Sequence, residues 1–587
     1  MKKTFKEGLY IGLAVGAFAA IALAFTSCVA EEHTVHLQLV ETSDVHGAFY
    51  DYNFRNGEVQ HTGLSRISSY LKENRDSLGD RLIYMDNGDI LQGQSEVYFF
   101  NYMDTVKIHP VARMLDYMDC QVSSVGNHDV ETGHAVYDKF FSQMNHPTLG
   151  ANIIDKKTGK PYLTPYVILE REGVKIAVLG MLTPAIPKWL PEVLWEGLEF
   201  QDMRECARQW IPVIQKENPD IIVGLFHSGA DSQKDTAEGE ALEDASLIVP
   251  AEVPGFDIIF YGHDHTNRYE EVTDPEGHKV ICMNPANEGK YLSIADITVT
   301  KKGSTLISKE IKGEVKDMND YAVDADFEKT FAPDKERALG FIDEKIGTLT
   351  EGLDAKEAFV GPCKFLSLIH QLQMDLTGAP ISITAPLSLN AVIPAGELTV
   401  GMMFNLYRFE NYLYTMKLTG KMIRDELEMS YDQWVGQMSS PADDLLLLNK
   451  DLGDDQHLGF KNFYFNFDTA AGINYTVDVT KPAGEKVTIT ALTDGTPFDL
   501  NKEYLVAINS YRGNGGGDLL TKGAGLTKDE INQRIVKSTD KDLRYYLINK
   551  IKEQKTVTPP DMQNWRFIPE NLVKPAAARN LKELFGK

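Results

Sequence analysis

The stretch that decides the fold is VHLQLVETSDVHG, which runs from Val35 to Gly47. Its first six residues alternate between apolar and polar side chains, which is the pattern of a half-buried β-strand. The strand is followed by Asp44 and His46, two positions apart, so in an extended chain both side chains point to one side and can chelate. This combination indicates a sheet with chemically active residues where a strand ends.

The same arrangement recurs along the first half of the chain. Short apolar runs predict further strands at Leu82–Met85, Val122–Val125, Lys175–Leu179, Ile221–Phe226 and Phe256–Tyr261. Helix-like segments such as Leu64–Leu71 and Val111–Met118 lie between them, and this alternation indicates a layered α/β domain. Ligands of such sheets bind outside the carboxyl ends of the strands, so we expect the loops that follow to meet in one crevice.

The loops after five of these strands carry Asp, Asn and His next to glycines. They supply seven candidate metal ligands, which are Asp44, His46, Asp89, Asn127, His227, His263 and His265. Seven ligands exceed the need of one tetrahedral ion and suit two ions that share a carboxylate, for which Asp89 stands centrally in chain order. Imidazole and carboxylate ligands favour Mn, Zn, Fe or Co over Ca or Mg. Each motif alone could be an ordinary polar loop, but their joint occurrence after predicted strands favours a metal centre.

Several motifs resemble two known domain families. The calcineurin-type metallophosphoesterase pattern is matched by Asp44-x-His46, Gly88-Asp89, Gly126–Asp129 and Gly262–His265. The 5′-nucleotidase C-terminal domain is matched by Leu406–Asn411, Leu418–Gly420 and Asn509–Asp518. Nearly the whole chain is thereby similar to the bacterial 5′-nucleotidase / 2′,3′-cyclic-nucleotide 2′-phosphodiesterase family. The resemblance implies an α/β fold, with a four-layer αββα metallophosphoesterase domain joined by a helical linker to a smaller α+β nucleotide-binding domain.

Composition divides the chain into four predicted parts. They are a signal peptide over 1–27, a metallophosphoesterase domain over 28–320, a helical linker over 321–346 and a substrate-binding domain over 347–587. The linker is rich in Asp, Glu and Lys around a few apolar positions. The last part has a predicted helix near Phe365–Met374, strands near Ile381–Ile383 and Tyr412–Met416, and a Gly-rich loop at 513–517.

The resemblance also implies roles for individual residues. One ion would take Asp44, His46, Asp89 and His265, and the other would take Asp89, Asn127, His227 and His263. His128 would approach the phosphate and stabilise the transition state. A carboxylate three residues later orients this histidine in the family; here that residue is Glu131, one methylene longer than the usual Asp, and Asp129 is the other candidate.

Substrate recognition is expected in the second half. Phe409 and Tyr511 match the aromatic pair that sandwiches the base, and Asn411 and Asp518 match positions that hydrogen-bond the base or ribose. The Gly-rich turn with a phosphate-binding Arg is missing from 385–397, which favours the cyclic-phosphodiesterase branch. Arg408 or Arg512 could supply the missing charge, or either could be a surface salt-bridge residue.

The first residues predict the location of the protein. Lys2, Lys3 and Lys6 precede an apolar run from Leu9 to Phe25, and Thr26-Ser27-Cys28 looks like a bacterial lipobox. The interpretation is a lipoprotein signal peptide with lipidated Cys28, which predicts a bacterial cell-envelope protein, periplasmic or on the outer surface, held only by its lipid. A plain transmembrane anchor is the alternative.

Net charge and cysteine content predict two further properties, which are the kind of partner and the state of the thiols. The formal net charge is −26, so this protein does not have the globally basic surface of a protein that binds a nucleic acid polymer. Four further cysteines contain no CxxC pair and are expected to be mostly buried free thiols, although two disulfides are compatible with an oxidising compartment.

Taken together, the sequence predicts an exported two-metal hydrolase that uses metal-activated water on nucleotides. Its expected activity is that of a 2′,3′-cyclic nucleotide phosphodiesterase, a 3′/5′-nucleotidase, or both. One alternative is hydrolysis of a nucleotide-sugar or another ester at the same site. The other alternative is a nucleotide-binding lipoprotein without enzymatic activity.

Overall fold

The computed structural model describes residues 31–586 apart from 55–56, 106, 235, 237–240 and 450–458. The predicted signal peptide and Cys28 therefore lie outside the described residues. Within the described ranges, no helix combines the length and the apolar character needed to cross a membrane.

The first half of the chain is built on two large sheets. Its strands are β1 (Glu32–Thr42), β2 (Leu82–Asp86), β3 (Cys120–Ser123), β4 (Ile153–Asp155), β5 (Lys160–Pro161), β6 (Tyr166–Arg171), β7 (Val174–Leu182), β8 (Leu198–Phe200), β9 (Ile221–His227), β10 (Ile258–Tyr261), β11 (Asn267–Thr273), β12 (Lys279–Pro285), β13 (Tyr291–Lys302) and β14 (Thr305–Asp317). One sheet has the order β14-β13-β1-β2-β3 and the other β11-β12-β10-β9-β7-β6. Strands β4, β5 and β8 form a small third sheet.

Helices cover the outer face of each large sheet. They are α1 (Leu64–Leu78), α2 (Ser95–Tyr98), α3 (Pro110–Tyr117), α4 (Asn127–Val130), α5 (His134–Gln143), α6 (Ile186–Trp189), α7 (Met203–Gln215), α8 (Ile248–Glu252) and α9 (Ala325–Ile342). Residues of α1, α3 and α9 share a core with the first sheet, and α7 and α8 share another with the second. A third core, with Leu37 and Val223, lies between the sheets. These layers confirm the predicted αββα fold.

Strand direction explains where a site forms. β1, β2 and β3 run parallel, and so do β7, β9, β10 and β12. Their carboxyl ends therefore lie at one edge of the two-sheet core, where crevices form in α/β proteins. The sequence pattern predicted a strand to Val125 and then a loop, but β3 ends at Ser123 and the next polar residues form the short helix α4.

The predicted linker, residues 321–346, contains helix α9, and this helix packs against the first half of the chain. The Asp324 side chain caps its first turn by accepting hydrogen bonds from the backbone N–H groups of Asp326 and Phe327. Phe327 and Phe331 are buried in the core of the first half. The helix is thus fixed to the metal-site half of the molecule.

The second half is a mixed α+β unit around one five-stranded sheet. Its strands are β15 (Lys345–Leu349), β16 (Leu353–Asp354), β17 (Ile381–Thr384), β18 (Val392–Ile393), β19 (Gly396–Thr399), β20 (Leu413–Thr419), β21 (Thr469–Ala471), β22 (Ile473–Asp478), β23 (Val487–Leu492), β24 (Glu503–Asn509), β25 (Ile535–Ser538), β26 (Thr556–Val557) and β27 (Trp565–Ile568). Its helices are α10 (Lys364–Thr377), α11 (Val400–Leu406), α12 (Gly420–Trp434), α13 (Ser510–Gly513), α14 (Lys528–Arg534), α15 (Leu543–Gln554) and α16 (Glu570–Phe585). The central order is β21-β17-β24-β20-β25.

The register of β20 and β24 brings the two predicted substrate segments together. The strands are antiparallel, and Leu413 lies opposite Asn509. The segment 408–411 enters β20 at the same edge at which the Gly-rich segment leaves β24. A hydrogen bond of 2.8 Å from the Ser510 N–H to the Tyr412 carbonyl joins the two segments.

The four cysteines of the described residues fit the expectation of buried thiols. Cys120, Cys206, Cys282 and Cys363 are all buried and free. Burial raises the pKa of Cys206 to about 12 and that of Cys363 to about 11. These thiols are protonated at neutral pH and are unreactive in the folded chain.

Candidate active site

The seven predicted ligands come from five strand ends and meet at one edge of the fold. Asp44 and His46 follow β1, Asp89 follows β2, and Asn127 follows β3. In the second sheet, β9 ends at His227, and His263 and His265 follow β10. The first two loops are joined by backbone hydrogen bonds of 3.0 Å, from Asp44 N–H to the Gly88 carbonyl and from His46 N–H to the Asp89 carbonyl. Five of the seven residues are buried, with Asp44 and His227 fully so, and His263 and His265 are partly exposed.

The backbone is strained where it presents these ligands. Five of them have φ between 49° and 76°, namely Asp44, His46, Asp89, His263 and His265. A non-glycine residue in this region costs about 1–3 kcal/mol and persists where the surrounding structure fixes it, often at functional sites. Glycines allow the close approach, because a Cβ on Gly126 would lie 2.0 Å from Asp89 Oδ1 and a Cβ on Gly262 would lie 1.9 Å from Ser43 Oγ.

One group of ligand atoms consists of Asp44, His46 and His265. The two Nε2 atoms of the histidines are 3.0 Å apart, and His265 Nε2 lies 3.3 Å from Asp44 Oδ1. His46 Nδ1 lies 2.9 Å from the Gln92 carbonyl, so it donates there and leaves Nε2 free for a cation. These are three of the four side chains that the resemblance assigned to one ion; the fourth is Asp89.

A second group surrounds Asp89. Its Oδ2 lies 3.2 Å from His227 Nε2, and Asp44 Oδ1 lies 3.8 Å from the same nitrogen. His227 Nδ1 donates to the Asn87 carbonyl at 2.7 Å, which again leaves Nε2 directed into the site. Both Asp44 and Asp89 therefore stand between the two groups, whereas the sequence singled out Asp89 alone as the shared carboxylate.

His263 is placed at the rim of the second group. Its ring centroid lies 5.6 Å from that of His227. Its Nε2 faces Glu243 and Asp244 at 3.8 Å from each carboxylate, and the structure joins these three as a further potential cation cluster. The sequence analysis did not select Glu243 or Asp244, because they follow no predicted strand.

Orphaned polar atoms show that the arrangement fits bound cations. Asn127 Oδ1 is buried without a hydrogen-bond partner among the described residues, and Asp44 Oδ1 and His227 Nε2 are buried and reach only the charged neighbours given above, without a well-aligned hydrogen bond. Buried polar atoms normally have a partner, since leaving one unsatisfied costs about 1–3 kcal/mol. Carboxylate, amide oxygen and imidazole atoms directed at a common space are a donor set that divalent transition metals accept.

The charges of the site are strongly coupled. Burial alone would raise the pKa of Asp89, but His227 and His128 lower it well below its ordinary value. Burial lowers the pKa of His227, and the attraction of Asp89 and Asp44 outweighs burial and raises it to about 10. In the absence of cations the imidazolium and carboxylate groups neutralise one another, so metal binding has to displace protons.

His128 lies beside this cluster and contacts Glu131. Its Nδ1 is 2.5 Å from Glu131 Oε2, and its backbone N–H donates to Asp89 Oδ1 at 2.7 Å. Burial lowers the pKa of His128, but Asp89 and Glu131 raise it to about 9, so without bound cations the imidazole is charged at neutral pH. The His128 side chain is 28% exposed, which leaves it accessible to a ligand over the metal cluster.

Asp129, the other candidate for orienting His128, has a different set of contacts. Its carboxylate accepts four backbone hydrogen bonds of 2.8–3.0 Å, from the N–H groups of Asp89, Ile90, Leu91 and Gly126. Asp129 therefore holds the loop that carries Asp89, while Glu131 contacts the histidine.

The predicted substrate residues lie at one edge of the second half. The rings of Phe409 and Tyr511 each make an edge-to-face contact with Phe465, at centroid distances of 6.1 and 6.2 Å. Asn411 is buried, with its Nδ2 3.4 Å from the Tyr407 hydroxyl. The Asp518 carboxylate accepts a hydrogen bond from the Thr521 hydroxyl at 3.0 Å.

The two arginines considered for the missing phosphate charge differ in exposure. Arg512 is 1% exposed, and its Nε donates to Asp468 Oδ2 at 2.6 Å. The hypothesis that Arg512 binds a phosphate is wrong for this arrangement, because its charge is already neutralised in the interior. Arg408 is exposed, with its guanidinium 5.9 Å from the Phe409 ring centroid.

Direct contacts bring the predicted substrate segments next to the candidate metal ligands. Asn514 Nδ2 donates to the Trp189 carbonyl at 3.2 Å, and the Trp189 ring lies 5.5 Å from the ring of His263. The Tyr102 hydroxyl donates to Glu410 Oε2 at 3.0 Å. Residues on both sides of the predicted base site therefore contact the half of the molecule that holds the metal ligands.

Comparison with known proteins agrees with this geometry. Residues 37–267 match the family described as calcineurin-like phosphoesterase, and residues 345–522 match the 5′-nucleotidase C-terminal domain. A trifunctional nucleotide phosphoesterase of Bacillus subtilis is 27% identical over 91% of this chain, which spans only 39% of that protein. A 2′,3′-cyclic-nucleotide 2′-phosphodiesterase/3′-nucleotidase of Yersinia enterocolitica is 25% identical, with 95% of this chain and 92% of that protein covered.

A solved structure supports the fold. It comes from a Staphylococcus aureus protein provisionally named a 5′-nucleotidase, and it superposes with a TM-score of 0.75 at 22% identity, over 91% of this chain and all of that one. The two domain matches follow one another in the order that the sequence motifs predicted. The chain therefore combines a calcineurin-like phosphoesterase domain with a 5′-nucleotidase C-terminal domain, and it is a metal-dependent phosphoester hydrolase.

Proposed function

We propose that this chain is an exported two-metal phosphoesterase that hydrolyses nucleotides. The proposed activity is that of a 2′,3′-cyclic nucleotide phosphodiesterase, a 3′/5′-nucleotidase, or both. The observation that carries the proposal is the meeting of two ligand groups, around Asp44 and Asp89, at the strand ends beside an aromatic cluster. Relatives from Yersinia enterocolitica and Salmonella typhimurium, both named 2′,3′-cyclic-nucleotide 2′-phosphodiesterase/3′-nucleotidase, match over 92% and 89% of their length.

The proposed ligands are Asp44, His46, Asp89, Asn127, His227, His263 and His265. Two divalent cations held there would lower the pKa of a bound water and polarise the phosphoryl oxygens. The chain's own contribution is geometric: the strained loops and the glycines beside them hold the ligand atoms in place before substrate arrives. Mn, Zn, Fe and Co all fit imidazole and carboxylate ligands.

We propose that His128 stabilises the charge that develops on the transferred phosphoryl group. Its Nδ1 is occupied by Glu131, so Nε2 remains available to donate to a phosphoryl or leaving oxygen. A cationic donor placed where negative charge grows typically contributes several kcal/mol to the lowering of the barrier. Glu131 acts through His128, by fixing the ring and stabilising its charged form.

The second half supplies the proposed nucleoside site. Stacking of a base on an aromatic ring contributes about 1–3 kcal/mol and tolerates any base. Phe409 and Tyr511 are the proposed stacking residues, and Asn411 and Asp518 are the proposed polar contacts. Because Asn514 reaches Trp189 beside His263, a nucleoside held there would present its phosphate to the metal ligands.

The proposed division of the chain is supported, for the described residues, by the placement of helix α9 and of the hydrophobic cores. We propose a lipoprotein signal peptide over 1–27 with lipidation at Cys28, a first domain over 28–320, a linker over 321–346 and a second domain over 347–587. Helix α9 falls inside the linker, and the first and second halves have hydrophobic cores of their own. Export and attachment to the cell envelope by a lipid remain part of this proposal.

Two alternatives keep the fold but change the outcome. The first is hydrolysis of a nucleotide-sugar or another ester, which a substrate panel distinguishes from nucleotide hydrolysis. The second is a nucleotide-binding protein without turnover. The complete ligand set and the His128–Glu131 contact favour an enzyme, because a binding protein has no need of a charged donor beside the metals.

The test compares wild type with His128→Ala on 2′,3′-cyclic AMP, 3′-AMP and 5′-AMP in the presence of Mn²⁺. We expect turnover by wild type and a loss of about 10²–10³-fold in kcat for the variant, as for removal of one oxyanion donor, with nucleotide affinity retained. Absence of turnover in wild type, together with full nucleotide affinity in both proteins, would favour the non-enzymatic alternative.

A further inference from the structure

A third aromatic side chain belongs to the cluster around the predicted base site. Phe465 lies in the short 3-10 helix Tyr464–Asn466, more than 40 residues from either predicted stacking ring. Its ring meets Phe409 at an interplanar angle of 72° and Tyr511 at 80°, so it stands edge-on to both. Phe463 stacks against the same ring, at a centroid distance of 5.0 Å and an angle of 17°.

A buried charge fixes the backbone of this third ring. The Arg512 guanidinium donates to the Phe465 carbonyl and to Asn466 Oδ1, both at 3.2 Å, and it forms an ion pair with Asp468. Arg512 directly follows Tyr511 in the chain. The position of Phe465 relative to Tyr511 is therefore set by interior hydrogen bonds and not by a mobile surface contact.

Each predicted stacking ring also has a close neighbour other than Phe465. The Arg408 guanidinium lies 5.9 Å from the Phe409 ring centroid. A Cβ on Gly516 would lie 2.6–2.7 Å from three atoms of the Tyr511 ring, so the Gly516 backbone packs directly against that ring.

We infer that Phe465 is a specificity-determining residue that forms the third wall of the base site. The inference rests on the proposed nucleotide function and extends it to a residue outside the predicted pair. A base that stacks on Phe409 or Tyr511 presents its own edge to Phe465, because Phe465 is nearly perpendicular to both rings. Edge-to-face contacts of this kind are the favoured geometry between flat aromatic groups.

The experiment uses the full chain with Phe465→Leu, which keeps the apolar volume but removes the ring. Phe465→Tyr serves as the conservative variant. Phe498→Leu is the matched control. Phe498 is half-buried like Phe465, and its ring stacks on Tyr504 at a centroid distance of 5.0 Å, as that of Phe465 stacks on Phe463. Tyr504 lies at the start of β24, whereas the predicted base site lies at its other end, beside Asn509. Adenosine affinity is measured by calorimetry on the Mn²⁺-loaded chain; adenosine has no phosphoester to hydrolyse, so the measurement reports the base site without turnover.

We expect Phe465→Leu to weaken adenosine binding about threefold to tenfold, the size of one lost edge-to-face contact. The KM for nucleotides should rise by the same factor, and the KM for bis(p-nitrophenyl) phosphate, which has no base, should stay unchanged. Phe465→Tyr should bind adenosine as wild type does.

Two results would overturn the inference, and only the second would also overturn the proposed function. If Phe465→Leu binds adenosine as tightly as Phe498→Leu does, while wild type hydrolyses nucleotides, Phe465 is not a wall of the site and the proposed function stands. If wild type binds no adenosine and hydrolyses only the aryl ester, the proposed function fails together with the inference.

Discussion

Replacing Glu131 by Gln tests how the site controls His128. The variant keeps the length and shape of the side chain and removes its negative charge. Glu131 Oε2 lies 2.5 Å from His128 Nδ1, and its attraction is among the causes that raise the pKa of His128 to about 9. With Gln at this position, the charged form of the imidazole loses its closest partner.

The expected magnitude follows from the loss of one charge-assisted hydrogen bond. Such bonds contribute about 1.5–3 kcal/mol. If this energy supports the transition state, kcat should fall about 10-fold to 150-fold at 25 °C. The KM for nucleotides should change little, because Glu131 lies on the metal side and has no contact with the aromatic cluster in the described structure.

Asp129→Asn is the comparison that separates orientation of His128 from support of the loop. The Asp129 carboxylate accepts N–H groups from Asp89, Ile90, Leu91 and Gly126. An amide keeps only one of the two oxygens, so two buried N–H groups lose their acceptor at a cost of about 1–3 kcal/mol each. This variant should lose about 2–6 kcal/mol of unfolding free energy and bind metal more weakly.

The assay measures kcat on 2′,3′-cyclic AMP, metal content by mass spectrometry and the denaturant midpoint for both variants. We expect Glu131→Gln to lose turnover with its metal content and midpoint unchanged, and Asp129→Asn to lose stability and metal. The opposite pattern, with full activity in Glu131→Gln and a purely catalytic defect in Asp129→Asn, would refute this assignment of the two carboxylates.

Three further substitutions test other parts of the structure. Arg512→Met should lower the unfolding free energy by about 3–5 kcal/mol, because Asp468 is left buried without its partner, and an unchanged denaturant midpoint would contradict this. Burial lowers the pKa of Lys528 to about 8, so between pH 8 and about 10.4 the unfolded chain binds more protons than the folded chain does. The unfolding free energy of wild type should therefore rise relative to that of Lys528→Met as pH increases through this window. A difference between the two proteins that does not change with pH would contradict this prediction. Tyr102→Phe should destabilise by about 1–3 kcal/mol in chemical denaturation, since the buried Glu410 carboxylate loses a donor, and a change below 0.5 kcal/mol would show that this contact is unimportant.

The cluster of candidate metal ligands could be predicted from the sequence because its residues follow strands. A parallel strand has a short apolar signature, and its carboxyl end has a fixed place in the sheet, so residues such as Asp44 and Asp89 could be brought together without coordinates. The predicted layers were confirmed for the same reason. The contact of His128 with Glu131 is harder to predict from the local pattern. Side chains three residues apart lie on one face of a helix, but the strand pattern predicts a loop here, whereas the structure has the short helix α4.

Other features depend on contacts between distant parts of the chain. Arg512 stands in a Gly-rich stretch that suggested an accessible charge, but Asp468, 44 residues earlier, draws it into the interior. Phe465 has no periodic or motif signal, and its place between Phe409 and Tyr511 is set by that same arginine. His263 follows β10, as the strand pattern predicted, yet its orientation toward Glu243 depends on a loop that no local pattern describes.

The most direct test of the central claim is one nucleotide panel, run with and without chelator on the full chain. Products of 2′,3′-cyclic AMP, 3′-AMP and 5′-AMP are separated by chromatography in Mn²⁺, after EDTA and after Mn²⁺ is added back. We predict hydrolysis of at least one nucleotide, its loss on chelation and its return with metal. Hydrolysis that survives chelation, or tight nucleotide binding with no product under any condition, would contradict a metal-dependent nucleotide phosphoesterase.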